Sequence, residues 1–417
     1  MPRLDAGGLP IRRNTFLLAA SLTASSGTLQ LVAAVSSLTF VLVTGVEGLL
    51  GLGPAIFLAS AALSAFPQGR AMDRFGRVPV LVSGYAFGVT GSLLTALGTW
   101  TTTAALVIPG FMLIGVSAAS ATLTRTAAGD MYPPERRARG IALVLFGAVF
   151  GAVLGPAVFS PLLTGRDLTP RELAIPWIVA AGFQLVALTL VASVHPDPRR
   201  IAELIGVRDD VAPAGSAAPL GELLKKPGVV PALLAAVASF AVMVSVMNLT
   251  GYVVVHNHHH HEHTVFPIIG AHVLGMYALV LVVGNVIDRL GRRPPLVGGL
   301  ALMSASCVGL LWAESVWGTA VLLFGLGLGW NLSFVAATTE LVDRTSAAER
   351  GKLLGFADLL SGLTGASLAL LGGFALKALG VAALGIGAGV LVVLPALWIL
   401  RDGRRRAEPA LATISDR

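Results

Sequence analysis

A chain of 417 residues with 55% hydrophobic and only 12% charged residues carries about half the charge of an ordinary soluble domain, where about 25% is usual. That balance excludes a soluble enzyme and suits a bilayer. The net charge of +7 does not point to nucleic acid, because the basic residues are scattered over short loops, as membrane topology requires. The lone Cys307 sits in an apolar run, which excludes an intramolecular disulfide and leaves the thiol to pack as a small hydrophobe.

A hydrocarbon core about 30 Å thick needs about 20 apolar residues per helical crossing. Runs of that kind fall at 15–43, 49–69, 78–98, 102–124, 138–163 and 173–194, then at 228–255, 264–286, 294–313, 316–338, 351–376 and 380–400. The expectation is an all-α membrane protein of about twelve transmembrane helices, with no cleavable signal peptide ahead of the first. Its parts are a first six-helix bundle (1–194), a linker (195–227), a second bundle (228–400) and a basic tail (401–417). With both termini in the cytoplasm, only Arg166, Arg171 and Lys377 of the 29 Lys and Arg lie outside, so the positive-inside rule sets the orientation. Within the linker, Arg199 to Val207 reads either as a short amphipathic surface helix or as a solvated connector.

Between the second and third runs stands Gly69-Arg70-Ala71-Met72-Asp73-Arg74-Phe75-Gly76-Arg77-Val78-Pro79. Its Gly, Asp, Arg, Gly, Arg and Pro return half a chain later in Gly284-Asn285-Val286-Ile287-Asp288-Arg289-Leu290-Gly291-Arg292-Arg293-Pro294. The repeat extends to Gly115 and Gly329 and to Glu135-Arg136 and Glu349-Arg350, so the chain is a duplication. Topology alone needs positive charge in such turns, but it has no use for the Asp or for fixed glycines. The two carboxylates are expected to face neighbouring helix N-termini, and the arginines to pair with acids or lipid phosphates.

The repeated stretch resembles the signature loop of major facilitator superfamily transporters, and the likeness covers nearly the whole chain. The resemblance implies two parallel six-helix bundles with a cavity reached alternately from either side. It also implies a gating latch at Gly69, Asp73, Arg74, Gly76 and Arg77 and at Gly284, Asp288, Arg289, Gly291 and Arg292. In the fifth run, Gly151-Ala152-Val153-Leu154-Gly155-Pro156 is similar to the element of bacterial twelve-helix drug/proton antiporters, with Gly151, Gly155 and Pro156 at the matching places. Such a protein exports small hydrophobic or amphiphilic solutes across the bacterial inner membrane in exchange for protons. The match is partial: Phe159-Ser160 replaces the usual trailing glycines, and the Arg typical of the fourth helix falls near Phe111. Glycines four apart also predict close helix packing alone.

Ionisable groups at membrane depth are costly and commonly functional. Asp358 in the eleventh run and His272 in the eighth are the candidate proton carriers, against the plainer reading of each as a satisfied interhelical hydrogen bond. Gln30, Asn248 and Asn331 are the polar candidates for lining a substrate cavity. The outer loop between the seventh and eighth runs concentrates His256, His258, His259, His260, His261 and His263, a set able to bind a divalent metal, to sense external pH, or to do neither. A divalent-metal carrier is therefore the alternative transporter, and a non-transporting membrane sensor the alternative of another class. No cofactor is expected, and no nucleotide-binding loop supports an ATP-driven pump. The expected partners are a small-molecule substrate, membrane lipid and protons.

Overall fold

Inside a bilayer each backbone N–H and C=O must be satisfied within its own segment, so long apolar stretches become helices. The computed structural model describes residues 9–133, 136–164, 169–205, 218–345 and 347–415. The helices of the first half are α1 (Ile11–Thr44), α2 (Leu52–Phe75), α3 (Arg77–Trp100), α4 (Ala104–Asp130), α5 (Arg137–Leu145), α6 (Gly147–Leu163) and α7 (Pro170–Ala192). Two short helices, α8 (Pro198–Leu204) and α9 (Leu220–Lys225), precede those of the second half. These are α10 (Val229–Tyr252), α11 (Val265–Tyr277), α12 (Val280–Leu290), α13 (Arg293–Gly309), α14 (Val316–Asp343) and α15 (Ala347–Ser415).

Among the described residues nine helical stretches are long and apolar enough to cross a membrane. The ninth, Lys352–Arg401, holds two crossings, because Gly380 adopts φ 79° and interrupts α15. The eighth crossing is divided into α11 and α12, and the ninth is the 17-residue α13, so twelve crossings stand where twelve were expected. Two boundaries differ in ways that matter. Helix α4 runs to Asp130 rather than 124, which brings Arg125 inside a helix. The expected surface helix is α8, started by Asp197, whose carboxylate accepts from Arg199 N at 2.9 Å, with Pro198 in the first turn. It buries Ile201, whereas Val207 lies outside the described residues.

The two halves meet mainly at the end away from the repeated loops. The Ser37 hydroxyl of α1 donates to the Asn248 carbonyl of α10 at 3.3 Å, and a Cβ at Gly251 would come within 2.0 Å of the Ala34 carbonyl oxygen. Phe159 of α6 stacks on Phe266 of α11 at 5.6 Å, and Ser160 donates to the His263 carbonyl at 2.9 Å. Gly51, just ahead of α2, lies against Ala369 and Gly373 of α15, and Glu47 reaches Lys377 at 3.5 Å. Small residues let backbones approach closely, and dispersion then does what the hydrophobic effect cannot do in lipid.

Candidate transport site and gate

On the other side of this contact, a cavity of about 180 Å³ opens between the halves. Helices α1, α4, α5, α6, α10 and α11 surround it, with Ser26, Gln30, Arg125, Ala148, Met276 and Tyr277 on its wall. Gln30 is 2% exposed, and its Nε2 donates to the Gly151 carbonyl, which fixes the amide orientation and leaves Oε1 without a partner. The glycines of α6 create this seat. A Cβ at Gly155 would lie 2.6 Å from Gln30 Oε1, and one at Gly151 would lie 2.3 Å from the Cβ of Ser26. Pro156, the third residue of that element, packs against Gly270 of α11, so α6 is held between both halves.

Arg125 was not legible as a site residue. Its sequence run was expected to end at residue 124, which left the guanidinium in a loop; α4 carries it instead to the cavity wall, half-buried. It makes no hydrogen bond or ion pair, yet lies within electrostatic reach of Tyr277 on α11 and of Asp358 on α15. Asp358 is exposed rather than half-buried, and it does not line the cavity. Of the expected set the structure places Gln30 on the cavity wall and adds Arg125 and Tyr277, with Asp358 within electrostatic reach of Arg125.

The remaining polar candidates stand apart from the cavity wall. Asn248 donates to Val244 within α10 at 2.7 Å, and Asn331 of α14 donates to the Met276 carbonyl at 2.6 Å. Both are 1% exposed; the Asn331 amide ties α14 to α11, whereas that of Asn248 bonds within α10. His272 is fully buried between α11 and α14, with Nδ1 2.8 Å from the Leu323 carbonyl and Nε2 without a partner.

The histidine loop is splayed. His256 stacks on Tyr252 with 4.2 Å between ring centres, His261 stacks on His263 at 5.6 Å, and His260 Nε2 bonds the Glu314 carbonyl at 2.6 Å. His259 takes a positive φ of 55°. Burial pushes the His258 imidazole below its ordinary value, with His260 and His259 acting in the same direction and Glu314 against. Among the described residues no three His, Cys, Asp or Glu side chains gather as a metal site.

At the opposite end the first repeated loop is a compact ion-pair assembly. Arg77, 8% exposed, donates to Asp73 at 2.6 Å and, through Nε, to Asp130 at the end of α4 at 2.7 Å. Asp73 therefore does not face a helix N-terminus; the carboxylate there belongs to Asp197, which accepts from Val78 N at 2.8 Å and Arg77 N at 3.2 Å. Arg199 donates to the Asp73 carbonyl, and Arg74 lies over the Phe75 ring at 5.0 Å. The second loop is lighter: Arg292 pairs with Asp343 of α14 at 3.0 Å, and Arg289 is exposed. The Asp288 side chain lies outside the described residues. Gly76 and Gly291 turn the chain at φ 96° and 78°, a conformation that side chains resist, so glycine is required there. Gly69 and Gly284 have nothing within 4 Å of where a Cβ would stand.

A family model described as Major Facilitator Superfamily matches residues 14–271 and 265–414. The chain belongs to the major facilitator superfamily. It is a multi-pass membrane transporter, and among its relatives is the uncharacterized MFS-type transporter YdeG of Bacillus subtilis, 29% identical over 84% of this chain and 82% of that one. The riboflavin transporter RfnT of Brucella anthropi is 27% identical over 84% of this chain and 85% of its own length. In fold, a D-xylose–proton symporter superposes with a TM-score of 0.74 at 14% identity, covering 93% of this chain and 97% of the symporter. For this facilitator the cavity between the halves thus lies within a transporter fold.

Proposed function

We propose that this facilitator is a proton-coupled secondary transporter of a small amphiphilic solute, oriented with its termini and repeated loops in the cytoplasm. The observation that carries this reading is the cavity between the halves, with Arg125 on its wall and Asp358, from the opposite half, within electrostatic reach of Arg125. A carboxylate coupled to a cavity-wall cation can gain and lose a proton as the cavity is exposed to each side in turn. The repeated loops serve as the gate: Arg77, Asp73, Asp130 and Asp197 brace the cytoplasmic ends of α2, α3 and α4 as one body that moves when the halves rock. Export of a hydrophobic compound by proton antiport is supported by the likeness of Gly151, Gly155 and Pro156 to the antiporter element. Those residues also seat Ser26 and Gln30 and pack on Gly270, so the reading offered here is of coupling rather than direction.

The test is flux in proteoliposomes with an imposed pH gradient, using a panel that includes riboflavin and D-xylose, taken from the names of a relative and of a fold neighbour, together with aromatic acids. Asp358→Asn should abolish accumulation driven by the gradient while ligand binding survives. A variant that accumulates solute with unchanged pH dependence removes Asp358 and the coupling reading.

A further inference from the structure

We infer that the solute is a planar organic anion, an aromatic carboxylate, and that Arg125 is the residue that binds its charge. The inference deepens the reading of the cavity as the transport site and rests on it. A half-buried guanidinium on a cavity wall is costly to hold without a partner, and Arg125, five residues from the end of α4, has neither a hydrogen bond nor an ion pair to offset that cost. Among the described residues, the titratable groups within its electrostatic reach are Asp358 and Tyr277. Asp358 supplies a compensating charge from across the space while ionised. Once it takes up a proton, Arg125 is left as an uncompensated cation whose planar fork matches a carboxylate.

The rest of the wall fits the remainder of such a ligand. Ser26 adds a hydroxyl to the wall, suited to a polar substituent on the ring system. Behind Tyr277, Trp330 stands edge-on at 6.2 Å, Phe334 stacks on Trp330 at 5.2 Å and Phe240 follows at 6.0 Å, so the second half presents an aromatic ladder that starts at the cavity. Of these rings Tyr277 lies on the cavity wall and the others back it, so a flat ligand ring has Tyr277 to pack against. Because anion and proton carry opposite charges, each favours binding of the other, and that linkage is reciprocal. The arrangement therefore takes anion and proton together.

Equilibrium binding without a gradient tests this independently of transport. The probes are 2-naphthoate and its neutral counterpart 2-naphthamide, titrated into the purified full-length protein by calorimetry, with ligand-induced thermal stabilisation as a second readout. The wild type should bind the carboxylate at least about tenfold more tightly than the amide, a factor of ten being one well-placed charge contact. Arg125→Gln should erase the preference, Arg125→Lys should retain part of it, and Asp358→Asn should tighten naphthoate binding severalfold. Equal binding of the two probes, binding of neither, an undiminished preference in a well-folded Arg125→Gln, or unchanged affinity in Asp358→Asn each overturns the inference. Loss of the coupling reading in the flux experiment with the carboxylate preference intact would fail that reading alone, and the reverse pattern would fail this one alone.

Discussion

The two ends of this facilitator are built on different physics. At the end of the histidine loop the halves are joined to each other, chiefly by backbone lying on backbone: Gly251 against Ala34, Gly51 against Ala369, and α6 against Gly270. Among the described residues the ion pair there is Glu47 to Lys377, which is solvated on both sides and adds little. At the end of the repeated loops, each ion pair among the described residues stays inside one half: Arg77 with Asp73 and Asp130, and Arg292 with Asp343, Arg344 with Glu340, Lys226 with Glu349. Short-range steric fit closes one end, and among the described residues the ion pairs at the other stiffen each half by itself. An alternating carrier needs both properties, because a closed end must separate cleanly while each half moves as a rigid unit.

This contrast is most exposed to a large side chain at Gly251. Gly251→Val would place atoms where the Ala34 carbonyl now sits, and we expect it to force the closed end apart at a cost of about 3 kcal/mol, the upper range for overpacking. The readout is maleimide labelling of Ser37→Cys in a Cys307→Ala background, which should rise from slow to rapid; slow labelling in the variant would show that the contact is not what holds the halves.

Next in size is Arg77→Ala. It removes the buried guanidinium that bridges Asp73 and Asp130 and should lower thermal stability by about 2 kcal/mol. If charge acts only within a half, Ser37→Cys labelling stays slow in this variant, whereas rapid labelling would mean that the loop also sets the conformation of the distant end. The smallest effect belongs to Asp197→Ala, which removes the cap of α3 and should cost about 1 kcal/mol, while Asp197→Asn retains most of the stability. An equal loss for both variants would assign the effect to charge with Arg77 rather than to the cap.

The twelve crossings and the repeated charged loops were legible in the sequence, because apolar run length and repeated charge are local properties of a chain in lipid. What could not be read is anything that depends on where a helix stops or on what a distant segment contributes. Arg125 was hidden by a boundary six residues short, since threonines and alanines on either side of it give no sign of a helix end. Asp130 and Asp343, the acids that meet Arg77 and Arg292, lie beyond the runs that were scanned for charge at membrane depth. Asp197 did sit in an Asp-Pro pair, a helix-start signal, and α8 begins there; that its carboxylate would also cap α3, more than a hundred residues earlier in the chain, is a tertiary fact. Asn248, Asn331 and His272 were singled out for polarity at depth, but depth does not distinguish a group facing a cavity from one bonding a neighbouring helix.

The glycines at 69 and 284 carry a different lesson. Nothing stands near either of them, and neither has the backbone angle that demands glycine, so this arrangement places no steric requirement on those two positions. The room beside α2 and α12 is therefore free for a neighbour: a larger side chain such as Ala at Gly69 or Gly284 meets nothing in this arrangement and leaves its stability unchanged.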